Sequence, residues 1–377
     1  MCMVGITYSD AGVDIELGDE ASDILYAAAK ETWSNRKGLI GEVISPFDDF
    51  SGLRAIDVSA LPPNTLMSMG FDSIGTKTEL AERISKHDTI AFDLFAMVCD
   101  DAVVRGGEPA VLGSVLEINT LGRGPDSNID MIRQLSKGYI QAAAAGNVAV
   151  INGELAEVGT RVQGYGRFNY NWGAGIIWFA NKDRIFTGAK INTGDKIVGL
   201  REKGIRSNGF SLVRKIFEQT HGENWHEVKL DNKSIAEIAL EPSTIYSTAV
   251  VEMLGGLNND PAAEVHGVAH ITGGGVPGKL GRVLKPTMFG ADLDDLFEPA
   301  EIIKYCQEHG NVPDHEAYRT WNMGQGMVII TPDPDQVISI ANNHRIEAKT
   351  IGKITERKGI RITNKGYFAT QEPNLEF

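Results

Sequence analysis

Apolar residues along the chain follow two rhythms, a spacing near 3.6 and short continuous runs, and their alternation outlines an α/β protein. In residues 19–35, Leu25, Ala28, Ala29 and Trp33 recur at helical spacing and predict an amphipathic helix that stops before Lys37 and Gly38. Residues 66–71 form a short apolar run, the pattern of a buried strand, which delivers Asp72 at its end. Residues 88–107 (DTIAFDLFAMVCDDAVVRGG) then predict a helix that is apolar almost all the way round, with Asp88 as N-cap and Gly106 or Gly107 as the stop. A helix of that kind is buried. Asp93 and Asp100 are seven positions apart and share one face, and Asp101 follows about 100° further round. Buried carboxylates need a cation or hydrogen-bond donors, so either a divalent metal or the Lys77 ammonium belongs nearby; the alternative is a polar stripe turned to solvent.

The same reading places strands at 109–120, 148–152 and 173–180, a helix at 126–145 and a loop at 159–171, with Glu154 and Glu157 just past a strand end. Residues 8–15 read as an extended segment, and 38–52 as a loop holding Pro46, Asp48 and Asp49. A turn at 181–183 marks the domain boundary, giving domains 1–180 and 181–377. The second half alternates strands at 196–200, 265–271, 327–331 and 348–354 with helices at 210–219, 242–254, 277–284, 301–308, 314–321 and 335–343. After Lys358 there is little pattern.

Length adds that 377 residues suit two ordinary domains. A net charge of −14, from 50 acids and 36 bases, argues against a nucleic-acid or anionic-membrane surface. Cys2, Cys99 and Cys306 are too scattered for a disulfide framework or a zinc site, and no apolar run is long enough to span a bilayer, so a cytoplasmic enzyme is the default expectation.

Three stretches could carry chemistry. Residues 70–77 (GFDSIGTK) resemble a P-loop superficially, but the order is Thr76 then Lys77 and an Asp stands where a phosphate cradle needs open amides. The acids Asp72, Asp93, Asp100, Asp101, Glu154 and Glu157 suit magnesium, a hard cation that bridges to nucleotide phosphates. Lys77 reads either as a phosphate neutraliser or as an ion-pair partner. Thr272, Gly273, Gly274 and Gly275 precede a helix and offer backbone amides to a phosphate, or else form a plain loop; His270 beside them is either catalytic or a hydrogen-bonded core histidine.

Together the segments YSDAGVDI (8–15), DSIGTK (72–77), HDTI with DLFAM (87–97), GEP (107–109), GELAE (153–157), SNGFSLVR (207–214), HITGGG (270–275) and NMGQGM (322–327) resemble the aminoimidazole ribonucleotide synthetase, or phosphoribosylformylglycinamidine cyclo-ligase, family, in order and over nearly the whole chain. The resemblance implies an α/β N-terminal domain whose strands build a dimer barrel, an α+β C-terminal domain, and a homodimer that uses ATP and Mg2+ to cyclise formylglycinamidine ribonucleotide. It implies a metal held by Asp72, Asp101 and Glu154, and nucleotide contacts from Asp72, Gly75, Thr76, Lys77, Asp100 and Glu154. Lys77, Asp93 and His270 would be catalytic, and Ser207, Asn208 and Thr272 to Gly275 would hold the ribose phosphate. The chain departs from the family pattern at Ser73 (usually Gly), Asp100 (usually Asn), Asn152 and Leu155 (usually Gly and Thr), and at Ile205 and Arg206, where a Pro-His pair is usual. Two other readings use the same residues: a superfamily enzyme with a different substrate, and a nucleotide-binding paralogue without turnover.

Overall fold

A computed structural model describes residues 14–45 and 52–377. Most of the extended segment at 8–15, together with Pro46, Asp48 and Asp49, lies outside these residues.

The first domain is built on a four-stranded sheet in the spatial order Thr65–Ser73, Tyr170–Asn181, Glu108–Ile118, Ala149–Glu157. Its last pair is parallel, and the helix Ile129–Gly146 supplies the crossover that a parallel pair requires. The predicted strand at 148–152 continues through Gly153 to Glu157, so Glu154 sits within a paired strand, in register with Val115, instead of past a strand end. The sheet is open, with no closed barrel among the described residues. Met67, Met69, Phe71 and Val115 leave large apolar side chains exposed on it.

The helix Ile90–Val103 packs between this sheet, the helix Ile129–Gly146 and the second domain. Of its 14 residues, Phe92 and Asp101 alone escape burial, as the apolar circumference predicts. Its N-cap is Thr89, without a side-chain cap, because Lys86 and Lys137 draw the Asp88 carboxylate away. At its other end Gly106 takes φ +87° and the Gly107 amide donates to the Ala102 carbonyl. A side chain on Gly107 would overlap Trp178, so the chain turns there on glycine.

The second domain carries a seven-stranded, largely antiparallel sheet in the order Gly267–His270, Gln325–Thr331, Lys196–Arg201, Ala348–Thr355, Gly290–Leu293, Ile360–Thr363, Asn374–Glu376. Successive residues of its central strands feed opposite faces. Ile197, Val328 and Ala269 join one core, while Val198, Ile329 and Val268 join another with Tyr246, Val250 and Ile340. Both faces are covered, so these strands read as continuous apolar runs. The region after Lys358 supplies the last two strands at one end of the sheet, too short to show a period. The helix expected from 242 begins at Ser247, for a reason that belongs to the site. Among the described residues no helix is long and apolar enough to cross a membrane.

Candidate active site

The C-terminal end of the helix Ile90–Val103 places two adjacent carboxylates in different surroundings. Asp100 is fully buried; its Oδ1 accepts the backbone amides of Tyr246 and Ser247 at 2.8 and 2.9 Å. A carboxylate from the first domain thus caps the helix Ser247–Leu254 of the second and fixes where that helix starts. Its Oδ2 meets the Arg206 guanidinium at 3.2 Å. Burial pushes the Asp100 carboxyl up, opposed by the charges around it.

Arg206 is itself buried and held at φ +64°, a conformation that costs a non-glycine residue. It donates to Glu202 at 2.7 Å, to the Thr244 carbonyl at 2.9 Å, and to His270 Nε2 at 2.8 Å. Burial alone would weaken its charge, but Glu202, Tyr246 and Asp100 outweigh that and make the guanidinium hold its proton more firmly. A guanidinium has no lone pair to offer, so His270 Nε2 accepts and the imidazole is neutral, with its proton on Nδ1. That Nδ1–H donates to Asp101 Oδ1 at 2.6 Å. Asp100 and Arg206, two of the departures from the expected pattern, are each other's ion-pair partners.

Asp101 keeps 57% of its side chain open to solvent. Partial burial works to raise its carboxyl, but the His270 hydrogen bond and the positive charges of Lys279 and Arg206 prevail and hold it below the ordinary carboxylate range. Asp72 is half-buried and lies close enough to feel Asp101, His270 and Lys279; burial is the main cause of its raised pKa, with Asp101 adding repulsion. Lys279, on the helix Gly275–Leu284, loses proton affinity through burial and the neighbouring Arg282, while Asp101 and Asp72 restore part of it.

The glycine loop opens onto this cluster. Gly274 and Gly275 have φ of +96° and +59°, and a side chain on Gly275 would overlap the Tyr318 carbonyl. The loop forms the start of the helix Gly275–Leu284, where first-turn amides lack partners in the helical ladder. Asn208 approaches Gly273, since a Cβ there would stand 3.7 Å from its Nδ2. Ser207 Oγ and Asn208 Oδ1 are buried without a hydrogen-bond partner, leaving polar capacity for a ligand. Thr272, between His270 and the glycines, is buried.

The remaining predicted residues are elsewhere. Lys77 is fully buried, 2.7 Å from Asp93 and 2.7 Å from the Glu241 carbonyl; Ser243 Oγ donates to the same Asp93 oxygen. Burial pushes the Asp93 carboxyl up against the pull of Lys77 and Ser243. Gly75 and Thr76 are exposed and line a cavity of about 860 Å3 together with Trp172, Tyr165, Arg83 and Arg214. Glu154 shares with Asp72 and Phe71 a shallower cavity on the open sheet face, whose walls do not include Asp101. Among the described residues no three His, Cys, Asp or Glu side chains come together as a metal cage.

Lys279 and Glu202 were not singled out from sequence, and Arg206 was marked only as a departure from the expected pattern. Lys279 sits four positions beyond the third glycine of the loop, one turn into the helix that the loop starts, and that spacing was the available signal.

Known proteins agree with this architecture. Residues 55–171 match the AIR synthase related protein N-terminal domain, and residues 192–365 its C-terminal domain. The phosphoribosylformylglycinamidine cyclo-ligase of Methanocaldococcus jannaschii is 33% identical over 369 residues, covering 96% of each chain, and that of Pyrococcus furiosus is 32% identical, covering 96% of this chain and 98% of its own. In fold alone, Escherichia coli HypE (TM-score 0.59, 13% identity, 91% of this chain and 94% of its own) and the thiamine-monophosphate kinase of Stenotrophomonas maltophilia K279a (TM-score 0.57, 15% identity, 88% and 95%) are similar. With both domain types matched and full-length relatives above 30% identity, the chain belongs to the aminoimidazole ribonucleotide synthetase, or phosphoribosylformylglycinamidine cyclo-ligase, family.

Proposed function

We propose that the chain uses ATP to close the imidazole ring of formylglycinamidine ribonucleotide, forming aminoimidazole ribonucleotide in purine biosynthesis. The observation that carries the reading is the cluster of Asp72, Asp101, His270 and Lys279 facing the glycine loop, in a chain that matches cyclo-ligases end to end. In this reaction ATP phosphorylates the formyl amide oxygen, an amidine nitrogen attacks that carbon, and phosphate departs with the oxygen. Such chemistry asks the protein for positioning and for charge placed at the transferring phosphoryl group.

The donor set fits magnesium of the substrate-bridging kind. Two carboxylates, Asp72 and Asp101, face one cleft with no cage of three among the described residues, and magnesium is commonly held by one or two carboxylates plus phosphate oxygens. Bound there, it would shield phosphate charge. Asp101 has one oxygen engaged by His270, so the imidazole aims the other. Lys279 adds a cation to the same cleft, and the loop from Thr272 to Gly275, with Ser207 and Asn208, receives the ribose phosphate. Gly75 and Thr76 place the nucleotide in the larger cavity, which is of nucleotide size. Lys77, Asp93 and Asp100 act by holding the two domains in register instead of touching the nucleotide. On this reading domains 1–180 and 181–377 meet at that cleft, and the working form is a cytoplasmic homodimer in which a second copy covers Met67, Met69 and Phe71 and brings Glu154 into a shared interface.

The test is ADP release by purified protein with ATP and magnesium, with and without formylglycinamidine ribonucleotide, alongside rescue of a purine auxotroph lacking its cyclo-ligase. Release that depends on the ribonucleotide, together with rescue, is expected. ADP release indifferent to it, without rescue, would transfer the fold to another substrate.

A further inference from the structure

A second cavity lies at the far end of the helix Gly275–Leu284 from the glycine loop. About 450 Å3 in volume, it is walled by Arg105, just past the helix Ile90–Val103, by Arg282 and Lys285, and by His266, with Phe186 and Val268 among its apolar walls. It shares no lining residue with the cluster of Asp72, Asp101, His270 and Lys279. No carboxylate is among its lining residues. Arg105, Arg282 and Lys285 are exposed, and among the described residues none of them has an ion-pair partner. The His266 ring is fixed from both sides, with Nδ1 at 2.7 Å from Asp195 and Nε2 at 3.0 Å from Glu264, so those carboxylates are engaged by the histidine.

Three unpaired bases around one cavity repel each other, and on a chain of net charge −14 carboxylate partners are not scarce. An anion in the cavity relieves that repulsion, and guanidinium pairs bind phosphate oxygens with directed hydrogen bonds. The apolar wall of Phe186 and Val268 adds room for the body of a phosphate ester.

We infer that this cavity binds a phosphoryl anion, free or carried on a nucleotide, at a place separate from the cleft at Asp101. The inference does not rest on the cyclo-ligase reading.

Calorimetric titration of the full chain tests this with pyrophosphate, inorganic phosphate and ADP, each added after the cleft is saturated with a magnesium-bound, non-hydrolysable ATP analogue. The comparison is with the Arg105→Gln, Lys285→Gln double variant, whose exposed positions leave folding intact. Wild type should bind pyrophosphate with an affinity that falls as salt rises, and the double variant should bind it at least about tenfold more weakly, with analogue binding unchanged. ADP binding tighter than pyrophosphate assigns the site to nucleotides, and equal affinities assign it to free phosphoryl anions; both support it. Equal pyrophosphate affinity in the two proteins, or none in wild type, overturns it. Failure of the analogue to bind bears on the cyclo-ligase reading, and pyrophosphate is then titrated directly with the same two outcomes.

Discussion

Near the N-terminal end of the helix Ile90–Val103, Asp93 meets Lys77 at 2.7 Å with both side chains sealed from solvent; two turns on, Asp101 meets His270 at 2.6 Å with 57% of its side chain open. In each pair an N–H donor meets a carboxylate at nearly the same distance. Burial separates them. At the closed end the ammonium is shared by Asp93 and the Glu241 carbonyl, so it ties the first domain to the second and has no freedom to follow a phosphate. At the open end His270 is itself braced by Arg206, and the charge it steadies faces the cleft. A carboxylate and the proton donor in contact with it are therefore a clamp or a site according to whether water and ligand can reach them.

The sharpest way to break the comparison is to exchange the roles. Lys77→Met leaves Asp93 buried without its cation and should destabilise the fold by about 3–5 kcal/mol, read by denaturant unfolding. Asp101→Asn should do the opposite, lowering turnover by about 100- to 1000-fold, roughly 3–4 kcal/mol in the barrier, with the melting temperature nearly unchanged. If Asp101→Asn unfolds the protein while Lys77→Met only slows it, the assignment of the two ends is reversed.

Acid sharpens the closed side further. Burial pushes His87 down to about 4, and its ring meets the Tyr170 hydroxyl at 3.0 Å. The unfolded chain takes up this proton near pH 6.5 and the folded chain does not until about pH 4, so stability should fall as pH drops through that window and level off below it. The contribution is about 3 kcal/mol. His87→Phe should flatten that limb in unfolding measured from pH 7 to pH 4, while leaving any acid loss that comes from protonating Asp101, which belongs at lower pH because its carboxyl is held down.

The smallest expected effect concerns the paired departures. Asp100→Asn, made singly, leaves Arg206 with Glu202 as its one carboxylate partner, and Arg206→His leaves Asp100 buried without its guanidinium; made together they give the residues that the family resemblance leads one to expect. The double-mutant cycle should show a coupling of about 1–3 kcal/mol, and additive effects would mean that the 3.2 Å contact is incidental.

Much of this was legible in the sequence. The apolar circumference of residues 90–103, the acids on it, and the HITGGG loop marked the helix, its need for counter-charge and the glycine turn beside His270. What local pattern could not show was partnership across long separations. Asp100 and Arg206 are 106 residues apart, and neither motif names the other. Asp88 has the composition of an N-cap, but lysines 86 and 137 compete for its carboxylate. Gly153 reads as a strand end, yet pairing with Ser114 carries the strand past it. The edge strand Asn374–Glu376, in the tail after Lys358, holds three residues, too few for any period, and its position comes from pairing with Ile360–Thr363.

The most direct test is product formation by the wild type and by Asp101→Asn with formylglycinamidine ribonucleotide, ATP and magnesium, measuring ADP and aminoimidazole ribonucleotide together. The account predicts equal amounts of the two products from wild type and at least about 100-fold slower formation of both by an Asp101→Asn protein that melts like wild type. ADP without aminoimidazole ribonucleotide, or an Asp101→Asn protein as fast as wild type, would contradict it.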